Sequence, residues 1–559
     1  MMKYQKYKRF ETIKLKNRTW PDKEINKAPK WVSVDLRDGN QALITPMKIE
    51  EKVEMFQLLV DIGFKEIEVG FPSASQIEYD FLRLLIDENL IPDDVTVQVL
   101  TQAREHLIKR TFESLKGLDK AIVHIYNSTS VLQRDVVFNK EKEDIKQIAV
   151  EGVRLVKELA KDFDGEVHLE YSPESFTGTE VEYALEVCEA VMDEWEASKD
   201  KKVIINLPST VEMSSPNVYA DQIEWMCTNF KERERVIVSL HTHNDRGCGV
   251  AATELGIMAG ADRVEGTLFG NGERTGNVDI VNVALNMFTQ GVEPELNFDK
   301  INDIKHVYEK VTKMEIPDRQ PYVGKLVFTA FSGSHQDAIN KGMHAYKERE
   351  TGIWEVPYLP IDPSDLGRQY EPIVRINSQS GKGGVAFVME SMYGYHLPKK
   401  LQADFAKVIQ DISEEEGEVS PERVYDTFIE EYVDIQEPFH FIKHKMFDVS
   451  EEDNEYERKA EITVVDRGEE KVIIGYGNGP IDAVKNAFNQ NGFTYMHLLD
   501  YSEHALTSGS SSKAAAYVYL RPKGSAIQEY GVGIHPNITT ATIKALVSAM
   551  NRIYKKMNK

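Results

Sequence analysis

Cysteine is scarce in this sequence, and the three cysteines, Cys188, Cys227 and Cys248, stand apart from one another. None belongs to a CxxC pair, so the spacing excludes a zinc-thiolate centre and indicates no disulfide framework. A chain that relies on neither kind of bond is typical of a reducing compartment. We therefore predict a cytoplasmic protein.

Long apolar runs and an excess of positive charge are also missing. No stretch reaches the roughly 18 apolar residues that cross a bilayer, and the basic N-terminus lacks the apolar segment of a secretion signal. The formal net charge of −24 argues against binding to nucleic acids or acidic membrane surfaces. We expect small-molecule ligands instead, bound in local pockets.

What the sequence does contain is a regular alternation between residues 31 and 291. Short runs rich in β-branched residues alternate with segments of helical periodicity, and there are eight of each. Eight parallel strands with helical crossovers close into a barrel without an exposed edge, so we predict an α/β fold with a (β/α)8 TIM barrel. A doubly wound open sheet is the alternative. The predicted strands are WVSVDL (31–36), FKEIEVG (64–70), VTVQVLT (95–101), KAIVHIY (120–126), EVHLEYS (166–172), KVIINLP (202–208), VIVSLHTHN (236–244) and RVEGTLFG (263–270).

Polar residues cluster where these strands end, which is the side of such a barrel that carries the active site. Similar residues are rarer where the strands begin, so their placement favours the barrel over the open sheet. The candidates are Arg37, Asp38, His124, Tyr126, Ser172, Glu174, Thr210, His241, His243, Asn271, Glu273 and Asn277.

His241 and His243 are the most specific feature of this set. Residues i and i+2 of a strand project to one side, so both imidazoles can share one ion if they face the barrel mouth. Histidines at this spacing also occur as hydrogen-bonded core residues, and the pair alone leaves both interpretations open. Strands 1 and 8 would place Asp38 and Asn277 on either side of the pair, which favours a metal site.

Two imidazoles, a carboxylate and an amide, without thiolates, suit a divalent ion such as Zn²⁺, Mn²⁺ or Mg²⁺ that keeps positions open. Such an ion acts as a Lewis acid and can chelate a 2-oxo acid. Arg37, next to Asp38, is then placed to stabilise negative charge on the keto oxygen, or else it forms a structural salt bridge.

The last hundred residues contain an internal repeat. GYGNGP (475–480) and GVGIHP (531–536) share the pattern GxGxxP, and each stands between a strand-like run and an amphipathic helix. We predict a C-terminal domain built from two related β-rich halves, after a mixed linker segment. The glycines themselves are equally consistent with turn chemistry.

The motifs DLRDGNQAL (35–43), HTHNDRGC (241–248) and GNGERTGN (270–277) resemble those of the metal-dependent acyl-CoA condensing enzymes, which share a barrel with certain aldolases and lyases. EYSPESFTGTE (170–180), NLPSTVEMSSPN (206–217) and FSGSHQDAINKG (331–342) narrow the resemblance to the 2-isopropylmalate synthase family in its long bacterial and fungal form. The similarity runs from about residue 30 to the C-terminus.

The resemblance implies a condensation of acetyl-CoA with 3-methyl-2-oxobutanoate to 2-isopropylmalate and CoA, the committed step of leucine biosynthesis. It implies that Asp38, His241, His243 and Asn277 bind a divalent ion, with K⁺ as an activator, and that Arg37 polarises the keto group. It also implies a pocket for the oxo acid, lined by His124, Tyr126, Ser172, Glu174 and Thr210.

The same resemblance implies a base that comes from beyond the barrel. His335 would lie beside Glu273 over the active site of a partner subunit, with Tyr358 near the acyl group. A histidine oriented by a carboxylate suits proton transfer near neutral pH. A homodimer is therefore expected.

The C-terminal repeat resembles a leucine-binding regulatory domain, which implies an α+β domain of two ββα halves. In it, Gly477, Asn478, Gly479 and Tyr501 would frame the effector. The expected organisation is an N-terminal extension (1–30), the catalytic barrel (31–300), linker subdomains that cover the active site (301–430) and the regulatory domain (431–559).

Two alternatives to this function remain open from the sequence. One is homocitrate or citramalate synthase activity, for which Arg104 could bind a second substrate carboxylate. The other is a metal-dependent protein that binds oxo acids or leucine without turnover.

Overall fold

The computed structural model describes residues 6, 8–330, 332–370, 381–416, 419–449, 458–506 and 512–558. The chain divides into two compact units, one of residues 1–328 and 361–369, the other of residues 329–360 and 370–559. Among the described helices, none combines the length and apolarity that a membrane crossing requires. The predicted boundaries at residues 30, 300 and 430 stay predictions.

The first unit contains a closed barrel of eight parallel strands in sequence order. This confirms the predicted (β/α)8 fold, and the open doubly wound sheet is wrong. Each predicted run overlaps the strand found there. The strands are β1 (Lys30–Ser33), β2 (Glu66–Gly70), β3 (Thr96–Gln102), β4 (Lys120–Ser128), β5 (Glu166–Glu174), β6 (Val203–Ser209), β7 (Val236–Thr242) and β8 (Arg263–Gly266).

Amphipathic helices surround the strands because each crossover must bury one apolar stripe against the sheet. The helix after β4 shows the pattern: Ile145, Ala149, Val153 and Val156 are buried at helical spacing. The helices of this unit are α1 (Ile49–Ile62), α2 (Gln76–Asp87), α3 (Glu105–Ser114), α4 (Lys142–Lys161), α5 (Val181–Trp195), α6 (Pro216–Asn229), α7 (Gly249–Met258), α8 (Ile280–Phe288) and α9 (Ile301–Thr312).

The interior of the barrel carries a layer of charge in addition to the usual apolar residues. Glu68, Glu170, Arg263 and Glu265 are completely buried there. Arg263 compensates the carboxylates: its guanidinium lies 2.8 Å from Glu265 and 3.2 Å from Glu170. Buried charges persist only when they are paired in this way.

The second unit begins with helices and ends in two antiparallel sheets. The described helices are α10 (Gly333–Arg349), α11 (Gly381–Tyr393), α12 (Lys399–Glu416) and α13 (Pro421–Tyr432). The first sheet is formed by β9 (Phe439–Asp448), β10 (Arg458–Asp466) and β11 (Glu469–Gly477), followed by α14 (Pro480–Gln490). The second is formed by β12 (Met496–Ala505), β13 (Ala514–Pro522) and β14 (Glu529–His535), followed by α15 (Ile538–Met557).

The predicted internal repeat is present, but each half has three strands rather than two. The GxG glycines have a packing role in both halves, because a helix crosses its strand closely there. A Cβ atom on Gly475 would lie 2.1 Å from the backbone nitrogen of Ala487, and one on Gly531 would lie 2.2 Å from the carbonyl oxygen of Ala545. Only glycine permits these contacts.

A separate core joins the helices to the second sheet. Phe405 and Phe428 pack in one cluster with Tyr517 and Val532 of β13 and β14. The helical segment therefore depends on the C-terminal strands for part of its core.

Candidate active site in the barrel mouth

The carboxyl ends of the barrel strands surround a cavity of about 300 Å³. Ten of the residues predicted from strand ends line it, and they come from six strands. These are Arg37, Asp38, His124, Tyr126, Ser172, Glu174, Thr210, His241, His243 and Glu273. The remaining lining residues, which sequence reasoning missed, are Gln41, Phe71, Leu100, Asn206, Pro208 and Arg274.

A single π-helical turn at Asp35–Gly39, directly after β1, presents Arg37 and Asp38 to this cavity. Both side chains are largely buried, and an Arg37 Nη1 lies 3.2 Å from Asp38 Oδ1. Such turns widen the helical ladder and are frequent at functional sites. The turn explains how two adjacent residues both reach the pocket.

Asp38, His241 and His243 bring three potential ligand atoms within 4.8 Å of one another. Oδ2 of Asp38 lies 3.2 Å from Nε2 of His241 and 3.8 Å from Nε2 of His243. The spatial cluster predicted from the HxH pattern is therefore present, and all three residues are buried.

Asn277 pairs with His243 through an isolated backbone bridge. Its Nδ2 donates to the carbonyl of Asn271 at 3.2 Å, whereas Oδ1 is buried without a hydrogen-bond partner among the described residues. Nδ1 of His243 is likewise buried and unpartnered there. An amide oxygen left without a partner beside a carboxylate and two imidazoles fits a divalent cation with free coordination positions.

The electrostatics of the three residues also fit a cation. Burial disfavours the Asp38 carboxylate, yet Arg37 and the imidazoles hold its pKa below the usual range. Burial alone would lower the pKa of His241, but hydrogen bonds to Asp38 and Glu265 raise it to about 9. Burial and the charge of His241 lower the pKa of His243 to about 4. The site thus attracts one positive charge, and a metal ion competes with the proton on His241.

Arg37 and His124 are held by one carboxylate. Nε of Arg37 donates to Oε1 of Glu68, and Nδ1 of His124 lies 2.9 Å from Oε2 of the same residue. On its other side, Nε2 of His124 lies 2.7 Å from the hydroxyl of Ser172. An ionised carboxylate only accepts hydrogen bonds, so Nδ1 of His124 carries a proton toward Glu68.

Glu68, His124 and Glu265 form a second group with metal-ligand spacing. The amide of Gln98 bridges its two carboxylates: Nε2 donates to Glu68 at 2.6 Å and to Glu265 at 3.1 Å. The orientation of Gln98 is fixed because its Oε1 accepts from Arg263 at 2.5 Å. A neutral donor therefore satisfies the carboxylates of this group.

Arg274 connects the loops after β6, β7 and β8. Its backbone adopts a left-handed φ of 58°, its Nε lies 2.7 Å from Asp245, and its Nη2 donates to the carbonyl of Thr210. Glu273, beside it, accepts a hydrogen bond from Gln41 at 3.2 Å. Asp245 thus supports the pocket from outside.

His335 and Tyr358 belong to the second unit, and there the structure brings them together. Their rings stack with centroids 4.0 Å apart. Tyr358 adopts a left-handed φ of 64° and is 61% exposed, so its phenol is presented to the outside of its own unit. The assigned roles of these and the other site residues stay predictions.

The C-terminal repeat holds a second, smaller cavity of about 170 Å³. Tyr501 lines it together with Pro480, Glu503, Ile538 and Thr542, among others. Gly477, Asn478 and Gly479 are not among its described lining residues. Gly477 instead lies against α14, where a Cβ atom would come within 2.4 Å of the nitrogen of Ala483.

Family models match three consecutive parts of the chain. Residues 28–307 match an HMGL-like model, residues 325–390 match "Alpha-isopropylmalate synthase, post-catalytic domain-like", and residues 418–554 match "LeuA allosteric (dimerisation) domain". The fold, the open ligand cluster and the first match define an HMGL-like barrel enzyme with a divalent-metal site.

Full-length relatives narrow this class. The chain is 58% identical over 558 residues to the 2-isopropylmalate synthase of Clostridium acetobutylicum, covering 99% of each chain. It is 55% identical to that of Agrobacterium fabrum over 99% of both chains, and 53% identical to that of Acetoanaerobium sticklandii over 99% of this chain and 97% of the relative. The chain belongs to the 2-isopropylmalate synthase family.

Proposed function

We propose that this protein condenses acetyl-CoA with 3-methyl-2-oxobutanoate and hydrolyses the thioester, giving 2-isopropylmalate and CoA under feedback inhibition by leucine. The observation that carries the proposal is the open cluster of Asp38, His241 and His243 beside Arg37, in a chain of this family. We further propose a homodimer, since one matched domain model is described as a dimerisation domain. The scarce, unpaired cysteines support a cytoplasmic location.

Asp38, His241 and His243 would hold the ion, with Asn277 supplying its unpaired amide oxygen. Zn²⁺, Mn²⁺ or Mg²⁺ all suit these ligands, and activation by K⁺ stays a prediction. When bound, the ion supplies Lewis-acid polarisation of the oxo acid.

Arg37 would stabilise the negative charge that develops on the oxo acid. Fixed by Glu68 and Asp38, its guanidinium is a preorganised positive charge for the keto oxygen, where negative charge develops on attack. It needs no reorganisation during the reaction because its contacts already hold it in place.

The side chain of the oxo acid needs an apolar surface, and Phe71, Leu100 and Pro208 supply one within the cavity. Arg104 is exposed at the start of α3 and is not among the described residues lining the cavity. Of the arginines that do line it, Arg37 is paired with Glu68 and Arg274 with Asp245. This supports an oxo acid with an apolar side chain over one with a second carboxylate.

Deprotonation of acetyl-CoA requires a base, for which we propose a ring nitrogen of His335, supplied by the partner subunit beside Glu273. The proton passes from the methyl group of acetyl-CoA to this nitrogen. The methyl carbon then forms a bond to the keto carbon of the oxo acid, and the keto oxygen takes up the negative charge beside Arg37. Tyr358, stacked on His335, would orient the imidazole and the hydrolytic water.

The smaller cavity in the C-terminal repeat suits leucine. Pro480, Val484 and Ile538 offer an apolar surface, and Glu503 offers a carboxylate to an ammonium group. Helices α14 and α15 begin at Pro480 and Ile538, so two helix N-termini adjoin the cavity and favour a carboxylate.

The test is release of free thiol from acetyl-CoA with a panel of 2-oxo acids, with and without chelator and leucine. Selective, metal-dependent and leucine-sensitive turnover of 3-methyl-2-oxobutanoate supports the proposal. Preference for 2-oxoglutarate or pyruvate would favour homocitrate or citramalate synthase activity, and ligand binding without thiol release would favour a non-catalytic binding protein.

A further inference from the structure

The two histidines of the metal cluster differ in how they are supported. Nδ1 of His241 lies 2.9 Å from Oε2 of Glu265, while its Nε2 faces Asp38 at 3.2 Å. Nδ1 of His243 is buried and has no hydrogen-bond partner among the described residues. The His241 imidazole is therefore fixed by hydrogen bonds on both nitrogens. Within the described chain, the His243 imidazole has a hydrogen bond on neither nitrogen.

Glu265 is itself held rigidly. It is fully buried on β8, and donors from four strands converge on its carboxylate. Oε2 accepts from His241 and, at 3.1 Å, from Asn206, while Oε1 accepts from Gln98 at 3.1 Å and Arg263 at 2.8 Å. With each oxygen occupied twice, the carboxylate cannot rotate without losing at least two bonds.

An ionised carboxylate only accepts hydrogen bonds, so Nδ1 of His241 must carry a proton. This leaves Nε2, the atom that faces Asp38, as the nitrogen available to a cation. Outer partners of this kind fix the tautomer and ring orientation of a ligand histidine and increase its basicity.

We propose that Glu265 is a positioning residue that fixes the Nε2-liganding form of His241 and thereby sets the affinity of the divalent-ion site. His241 is the preformed ligand, and His243 is the ligand that adjusts when the ion and substrate enter. The inference rests on the proposed metal site at Asp38, His241 and His243.

Glu170 provides a matched control. It is as deeply buried as Glu265 in the same charged layer, and it lies 3.2 Å from the same Arg263. No hydrogen bond or ion pair joins it to His241 within the described chain. Glu170→Gln therefore disturbs the layer, and even the surroundings of Glu265, without removing a hydrogen-bond partner of a metal ligand.

The experiment is a calorimetric titration of the metal-free full chain with Mn²⁺. We expect Glu265→Gln to raise the Mn²⁺ dissociation constant roughly 10–100-fold, whereas Glu170→Gln should change it less than about threefold. Equal effects of the two variants would overturn the inference. Failure of wild-type protein to bind Mn²⁺, or wild-type affinity in His241→Ala, would instead overturn the proposed site.

A measurement on wild-type protein covers the case in which Glu265→Gln does not fold. NMR spectra of protein with ¹⁵N-labelled histidine should still show a slowly exchanging Nδ1 proton on His241 after loading with diamagnetic Zn²⁺. The signal is assigned to His241 because it is absent from the His241→Ala variant. Loss of that proton on loading would show coordination through Nδ1 and contradict the role of Glu265.

Discussion

The imidazole of His335 stacks on the phenol of Tyr358, with ring centroids 4.0 Å apart and planes inclined by 22°. If His335 removes the methyl proton, His335→Asn should lower kcat by roughly 10²–10⁴-fold, as expected for loss of a general base. Tyr358→Phe keeps the ring and should cost less. Steady-state thiol release measures both.

His344 is the control for this substitution because it is an exposed histidine of the same helix, α10. His344→Asn should leave kcat within about twofold of wild type. A small loss of kcat in His335→Asn, comparable to that control, would remove His335 from the reaction.

Asp38 is the only carboxylate of the proposed ion site within the described chain, so its charge should dominate binding. Asp38→Asn should reduce Mn²⁺ affinity by more than the roughly 10–100-fold that loss of a supporting partner costs. Asp245→Asn removes a carboxylate from the same mouth but outside the cavity, and it should retain metal binding. Calorimetry compares the two, and equal affinities would contradict the assigned ligand set.

Leu100 tests the apolar subsite because it is 7% exposed and lines the cavity. Leu100→Ala should lower kcat/KM for 3-methyl-2-oxobutanoate and improve the relative use of 4-methyl-2-oxopentanoate, which is one methylene longer. A methylene is worth roughly 10–200-fold in such discrimination. Leu100→Met conserves volume and should change the ratio little. An unchanged ratio in Leu100→Ala would place the substrate side chain elsewhere.

Glu503 tests the effector cavity. If its carboxylate binds the leucine ammonium, Glu503→Gln should raise the half-inhibitory leucine concentration about tenfold or more, because a charged hydrogen bond is lost. Uninhibited kcat should not change. Glu470→Gln, an exposed position of β11, is the control. Truncation after residue 430 would not test the leucine site cleanly, because Tyr517 and Val532 complete the core of the preceding helices.

Asp279 gives a pH-dependent prediction for stability. Burial raises its pKa to about 6, while hydrogen bonds from Asn282 and Gln320 oppose the shift. The folded state therefore binds more protons than the unfolded state, and this group's contribution to stability falls as pH rises from about 4 to about 6.

Asp279→Asn removes that titration and keeps a good N-cap for α8. Relative to wild type, the variant should gain up to roughly 3 kcal/mol in unfolding free energy between about pH 4 and pH 7. Denaturant unfolding at both pH values measures this gain. A constant difference between the two proteins would show that Asp279 is not protonated in the fold.

The barrel and most of its mouth could be predicted because both follow from local patterns. Alternation of strands and helices predicted the fold, and polar residues at the ends of six strands predicted ten of the residues that line the cavity. Asp38 and His241 are distant in sequence, yet closure of the barrel necessarily brings β1 and β7 to the two sides of β8.

What escaped prediction depends on contacts across the barrel. Gln98 and Glu265 resemble ordinary strand residues in sequence, and only the packed interior shows that one bridges two carboxylates while the other supports His241. Leu100 and Pro208 are apolar, so their chemistry does not distinguish them from core residues, although inward alternation at strand ends indicates that they face the cavity. The third strand in each C-terminal half lies outside the repeated GxGxxP segment, which marks only one strand and one helix.

The most direct test of the central claim is the stoichiometry of products from acetyl-CoA and 3-methyl-2-oxobutanoate. Mass spectrometry should detect 2-isopropylmalate and free CoA in equal amounts, and a chelator should abolish both until a divalent ion is restored. Release of CoA without 2-isopropylmalate, or undiminished formation of both products in the chelated protein, would contradict the account.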